Sequence, residues 1–156
     1  CGGCWYKMRI YLDTCCLNRP FDDQTDARVS LETEAIRTIL TRCEQGEWHL
    51  INSEVLELET QKTTNIVRQK YVSLLLSTAS TTVLLNDPII YNAKQLEDLG
   101  LKAFDALHLA CAISNADVLL TVDDKFLNKA NTINAVNIRV AHPLRWLEEM
   151  LYDFYS

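Results

Sequence analysis

Four carboxylates in this chain stand where a globular domain would ordinarily place apolar side chains or simple caps. Asp13 closes the apolar run IYLD, Asp123 closes LLTVD, Asp105 sits inside FDALHLACA, and Glu59 lies in SEVLELE. In FDALHLACA the residues Phe104, Ala106, Leu107, Leu109, Ala110, Cys111 and Ala112 cover every side of a helical turn. A helix apolar all round is normally buried all round. An isolated ionised carboxylate there would lose its hydration at heavy cost, so Asp105 must be paired, protonated or beside a cation.

Helical spacing selects among the three glutamates that follow Ser53. At about 100° per residue, Glu59 falls about 40° from the mean direction of Val55, Leu56 and Leu58, whereas Glu54 falls about 100° and Glu57 about 160° away. Glu59 is therefore expected inward and Glu57 in solvent. Two carboxylates about 4 Å apart repel by roughly 4 kcal/mol at an effective dielectric near 20. The apolar segments carry no Lys or Arg of their own to offset that; Lys102, Lys125 and Arg19 only flank them. An oxygen-only set suits Mg²⁺ or Mn²⁺, and such a cation supports phosphodiester hydrolysis by activating water and stabilising charge on the leaving oxygen. Taken singly, Asp13 and Asp123 also read as turn residues or helix caps, and Glu59 as a boundary glutamate.

The elements that must position these acids alternate regularly. MRIYLD (8–13) reads as a strand, TCCLNRPFDDQ as a loop, and about 25–45 as a helix with Val29, Ile36, Ile39, Leu40 and Cys43 as its apolar stripe. WHLINS (48–53) is a second strand, and Ser53 the N-cap of a helix running to about Thr63. A helix over 65–79, a strand at 81–85 and a helix from Asp87-Pro88 to near Gly100 follow. The Asp105 helix comes next, then a strand at 117–122, a short helix after Asp123, and a strand at 136–141. His142-Pro143 opens a terminal helix with Leu144, Leu147 and Leu151 inward. Short continuous apolar strands alternating with helices predict an α/β fold of three layers, a mostly parallel central sheet flanked by helices. In such sheets ligands collect at the carboxyl ends of the strands, where Asp13 and Asp123 stand.

The chain has 156 residues, 48% hydrophobic and 23% charged, which fits one globular domain over 8–156. CGGCWYK (1–7) reads as an N-terminal extension outside the fold, because its C-x-x-C finds no second ligand pair. The remaining cysteines are expected as free thiols; Cys15 and Cys16 are adjacent, which rarely suits disulfide geometry. With 15 Lys and Arg against 21 Asp and Glu the net charge is −6, which argues against a broad basic face for indiscriminate nucleic-acid binding. No apolar run approaches the length of a bilayer and the N-terminus lacks a signal layout, so the expected setting is the cytoplasm, without a membrane.

RIYLDTCCLN, the S-x-x-x-x-x-E spacing of SEVLELE, DALHLACA and LLTVDDKF resemble, in order, the signature segments of PIN domains, and among them the VapC-type toxins of toxin–antitoxin pairs. The resemblance implies Asp13, Glu59, Asp105 and Asp123 as catalytic acids, with Asp13, Asp105 and Asp123 holding Mg²⁺ or Mn²⁺ and Thr121 a polar neighbour of the last acid. It implies cleavage of RNA leaving a 5′-phosphate end, a homodimer and an antitoxin partner. Asp124, beside Asp123, leaves two residues competing for the fourth position. Asn18, Arg19, Thr121 and Lys125 are the candidate substrate contacts; holding the loop suits Asn18 and Arg19 equally well, and solvated charge is the default for Lys125. His108, one turn after Asp105, is placed to orient a carboxylate or touch substrate, but reads more readily as a satisfied core or boundary histidine, and Trp146 as packing for the last helix or a dimer. Two rivals remain: a PIN-like module that binds RNA or protein without cutting, and a phosphatase of the haloacid-dehalogenase type. The latter needs an Asp two residues after Asp13, where this chain has Cys15.

Overall fold

The computed structural model describes residues 7–133 and 136–155. Cys1 and Cys4, with the C-x-x-C they form, lie outside the described residues. Five strands form one all-parallel sheet in the order β3-β2-β1-β4-β5: β1 Arg9–Leu12, β2 His49–Ser53, β3 Thr81–Val83, β4 Val118–Leu120 and β5 Arg139–Ala141. Parallel neighbours need helical crossovers, supplied by α1 Thr14–Asn18, α2 Ala27–Glu44, α3 Glu54–Gln61, α4 Ile66–Ser77, α5 Asp87–Asp98, α6 Ala103–Ile113 and α7 Asp124–Thr132; α8 Pro143–Tyr155 follows β5. Ile10, Tyr11 and Leu12 are all fully buried although alternate residues point to opposite faces, so both faces of the sheet are covered.

The chain winds from β1 outward to β3, then returns past β1 to β4, which makes the β1/β4 junction the point where the winding reverses. Leu12 pairs with Leu120 at the last register position of both strands. Asp13 and Asp123 therefore leave the carboxyl ends of neighbouring strands at the switch point, the usual ligand crevice of such sheets.

Two parts of the sequence reading change. The segment after Asp13 is not a loop: Thr14–Asn18 is a short helix and Arg19–Phe21 a 3₁₀ turn. Its composition hides it, because Thr, Cys and Asn are weak helix formers, and it stands because Asp13 caps it. The Asp105 helix begins only at Ala103, after Gly100 (φ +110°) closes α5, so Asp105 occupies the first turn and is half-buried rather than enclosed in mid-helix. Among the described residues, Cys15, Cys16, Cys43 and Cys111 are free thiols, and no helix is long and apolar enough to cross a membrane. Trp146 packs edge-on against Trp48, ring centres 5.0 Å apart, and so joins α8 to the core.

One acid that periodicity did not single out is buried in α2. Glu32 is 1% exposed and accepts from Arg19 (2.7 Å), Arg28 (3.0 Å) and His142 (2.5 Å). Burial alone would raise its carboxyl, but those three donors hold it below the usual range. Removing one member of a buried charge network strands the others, at a cost of about 3–5 kcal/mol. Glu32→Ala should therefore lower stability by about 3 kcal/mol in urea unfolding at pH 7, and Glu34→Ala, on the exposed face of α2, by less than about 0.5 kcal/mol. Because the Glu32 carboxyl is depressed in the fold, its contribution is complete above the ordinary glutamate range and is lost as pH falls below it.

Candidate active site

Asp13 is the most deeply set acid. The chain leaves β1 extended (φ −73°, ψ 172°), and the Asp13 carboxylate accepts the Cys16 amide at 3.1 Å as the cap of α1. The Cys15 thiol donates to the same oxygen at 2.7 Å, and the Asp13 amide reaches the Leu120 carbonyl at 3.2 Å, stitching the acid to β4. Asp13 is 5% exposed. Burial pushes its carboxyl up, against the hydrogen bonds of Cys15 and Thr121, the field of His108 and the Cys16 amide.

Asp123 caps α7, accepting the Lys125 and Phe126 amides at 3.0 and 3.2 Å through one oxygen. The Thr121 hydroxyl receives the Asp123 amide at 3.1 Å and fixes the turn between β4 and α7. Asp105 faces this turn from α6. A cavity of about 240 Å³ is lined by Asp105, Asp123, Lys102, Lys125, Lys129 and Phe126 among its residues. Asp105 is pushed up to about 6, first by burial and then by the negative charges of Asp123 and Asp13, with His108 and Lys102 opposing. Its carboxylate has no hydrogen bond or ion pair to any described residue. Three acids thus repel one another in one neighbourhood. A larger hollow, about 480 Å³ between α3 and α4, holds Glu54 and Glu57, but both are exposed and each has a hydrogen-bond partner, the Leu85 amide for Glu54 and Asn52 for Glu57.

Glu59 enters from α3, half-buried, while Glu57 is exposed and bonds to Asn52 at 2.8 Å; the helical spacing had separated them this way. Leu58, counted in the apolar direction of that wheel, is exposed, because α3 is covered along a narrower stripe through Val55, Leu56 and Thr60. Glu59 Oε1 accepts the Thr14 hydroxyl at 2.6 Å and the ring Nε2 of His108. Burial would raise the Glu59 carboxyl; His108, Thr14 and Lys62 together bring it below the usual range.

The mouth residues divide by their partners. Arg19 is committed to Glu32 and Asp22 and holds the loop. Asn18 donates to the Thr14 carbonyl at 2.9 Å, and its buried Oδ1 has no partner. Thr121 is fully buried, so it orients Asp123 and does not reach a substrate. Lys125 is exposed on the cavity rim. Asp124 is drawn away by Arg28 at 2.8 Å, and Arg28 also grips the Val122 carbonyl at 3.4 Å. That leaves Asp123 alone facing Asp105. Arg28 is the residue that sequence reasoning missed here, since its partners lie 94 and 96 positions away.

The donor set fits a hard divalent cation. Among the described residues, the one group of three whose ligand atoms all lie within 4.8 Å is Asp13, Cys15 and Cys16. Cys16, however, is fully buried, donates to the Leu120 carbonyl at 3.4 Å, and has its thiol driven well up by burial. A protonated thiol is not a ligand. Asp13, Asp105 and Asp123 are spaced more widely yet still feel one another's charge, an arrangement that leaves space for an ion keeping part of its water shell, as Mg²⁺ does.

A doubly covered parallel sheet with carboxylates gathered at its switch point defines an α/β domain built around an acidic crevice. Residues 10–131 match the PIN domain model, and the chain belongs to that family. A comparison with curated proteins finds no match. Among solved structures, the chain is similar to VapBC2 from Rickettsia felis bound to a DNA fragment from their promoter, at 15% identity and TM-score 0.56, covering 85% of this chain and 97% of that one. It is also similar to FitAcB from Neisseria gonorrhoeae, at 16% identity and TM-score 0.52, covering 86% and 97%. These likenesses carry the fold.

The acids make opposite contributions to stability. Asp105 is raised from 3.8 to about 6, so the folded state holds its proton more tightly than the unfolded chain does. Its contribution is most favourable below 3.8 and is lost as pH rises through about 6. In metal-free protein Asp105→Asn should therefore raise Tm at pH 7, with the gain shrinking toward pH 4. Asp124 is depressed by Arg28, so Asp124→Asn should lower Tm slightly at pH 7, with the loss shrinking as pH falls below the ordinary aspartate range. Thermal melts of both variants across pH check the signs.

Proposed function

We propose that this PIN domain is a metal-dependent endoribonuclease and the toxin of a toxin–antitoxin pair. The observation that carries the reading is the incompletely compensated repulsion at Asp105, raised to about 6 by burial, Asp123 and Asp13 against His108 and Lys102. A fold does not retain such repulsion for stability; functional sites do. Asp13, Asp105 and Asp123 would hold Mg²⁺ or Mn²⁺, which supplies the activated water and the charge that stabilises the leaving oxygen. Glu59, kept ionised by His108 and Thr14, is an acceptor: it orients the attacking water and takes its proton. Lys125 stands at the rim to meet a backbone phosphate. Asn18, which lines a hollow with Thr14, Cys15 and Arg68, meets the RNA backbone on the other side of Asp13. The likeness in fold to VapBC2 and FitAcB supports an antitoxin partner, and a homodimer over residues 8–156 in the cytoplasm completes the proposal.

The test is cleavage of varied single-stranded RNAs with Mg²⁺ or Mn²⁺. Wild type should cut and leave 5′-phosphate ends; a chelator should abolish cutting. Asp105→Asn should lose at least about 100-fold in kcat, while Glu57→Gln, outside the crevice, keeps wild-type rates. A wild type that binds RNA but cuts none of it with either metal would establish the binding module instead.

A further inference from the structure

Beneath Glu59 runs a buried polar chain that the hydrolytic reading does not itself require. Ser53 at the end of β2, Tyr11 in β1 and His108 in α6 are each 2% exposed or less. Ser53 Oγ lies 2.7 Å from Tyr11 Oη, Tyr11 Oη lies 2.6 Å from His108 Nδ1, and His108 Nε2 bonds Glu59. The Tyr11 and His108 rings meet edge to face, centres 5.7 Å apart. Four elements contribute one residue each to a line that ends at the crevice.

We infer that His108 is the positioning residue for Glu59, and that Tyr11 determines which imidazole nitrogen presents a proton to it. The inference rests on the proposed hydrolytic role of Glu59. Its logic is a count of donors. Ser53 Oγ already accepts the Leu56 amide at 3.1 Å, so its own hydrogen is available to Tyr11. Tyr11 can then donate to Nδ1, which leaves Nε2–H to donate to Glu59. In a doubly protonated ring the first two bonds reverse direction and Nε2 still donates to Glu59. Without the phenol, Nδ1 has no partner, and a ring protonated on Nδ1 with a bare Nε2 becomes competitive. That form could bond Glu59 only if the carboxyl carried the proton, which would remove the acceptor. With Thr14 also donating to Oε1, the carboxylate is held at one oxygen by two donors, and no described residue hydrogen-bonds Oε2. Glu59 therefore meets its substrate water as a fixed, charged acceptor.

Tyr11→Phe keeps the volume and removes only the hydroxyl; His108→Gln keeps a donor near the Nε2 position; His108→Ala removes it. On the full-length chain with Mn²⁺ and a cleavable oligoribonucleotide, Tyr11→Phe and His108→Ala should each lower kcat by about 10- to 100-fold with KM unchanged. His108→Gln should recover most of the loss, which a purely structural role would not produce. The imidazole ¹⁵N spectrum reads the same network without activity: wild type should show a protonated Nε2, and Tyr11→Phe should admit the Nδ1–H form. Wild-type kcat and an unchanged ¹⁵N pattern in Tyr11→Phe would overturn the inference while leaving the ribonuclease reading intact. A wild type without cleavage would fail that reading, and the spectrum alone would then decide: Nε2–H with a Tyr11-dependent tautomer supports the positioning role, and Nδ1–H in wild type refutes it.

Discussion

Mutual repulsion among Asp13, Asp105 and Asp123 is the constraint around which the rest of the molecule is arranged. Asp13 and Asp123 leave adjacent strands at the β1/β4 switch point, and Asp105 is brought over them by α6. The fold offsets part of the repulsion with Lys102, whose charge opposes the rise at Asp105, and with helix starts. Asp13 caps α1, Asp123 caps α7 and Asp105 lies in the first turn of α6, so three helix starts turn their free N–H groups toward the acids. The compensation is incomplete, since Asp105 is still raised to about 6. A divalent cation is the counter-charge we propose for it.

Other cation side chains are spent one layer away. Arg19, Arg28 and His142 converge on buried Glu32, and Arg28 continues to Val122 and Asp124. This network ties α2 and the start of α8 to the turn that carries Asp123. Adjacent acids thereby acquire opposite roles: Asp124 pairs with Arg28 and holds the turn, and Asp123 lines the crevice. On the far side, Ser53, Tyr11 and His108 do the same for Glu59. Asp13, Glu59 and Asp123 are each held in place by hydrogen bonds from neighbouring residues.

The order of strands and helices was legible because short, mostly apolar runs alternate with helical patterns, and Ser53, read as a cap, does accept the Leu56 amide at the first turn of α3. Glu59 could be told from Glu57 by helical spacing alone, and RIYLD, DALHLACA and LLTVD carried the family resemblance. What stayed hidden depends on contacts distant in sequence. Glu32 reads as one more polar residue of α2 until Arg19 and His142 surround it. Thr121 and Arg19 looked like substrate contacts because sequence shows proximity to the site and not burial or prior engagement. The α1 helix escaped because its five residues owe their conformation to the Asp13 cap more than to their own propensity. Asp105 was placed in mid-helix although Gly100 marked the end of α5, because nothing in the apolar run marks that the next helix starts only at Ala103, where Lys102 supplies no side-chain cap.

The central claim is that the crevice acids await a divalent cation, and the carboxyl ¹³C resonance of Asp105 measures it directly. Titrated without metal, Asp105 should show a midpoint at about 6. Saturating Mg²⁺ should drive that midpoint down, into or below the ordinary aspartate range, because a bound cation favours the ionised form. A midpoint that stays near 6 with Mg²⁺ and Mn²⁺ alike would show that the acids repel one another with nothing to hold, contradicting the account.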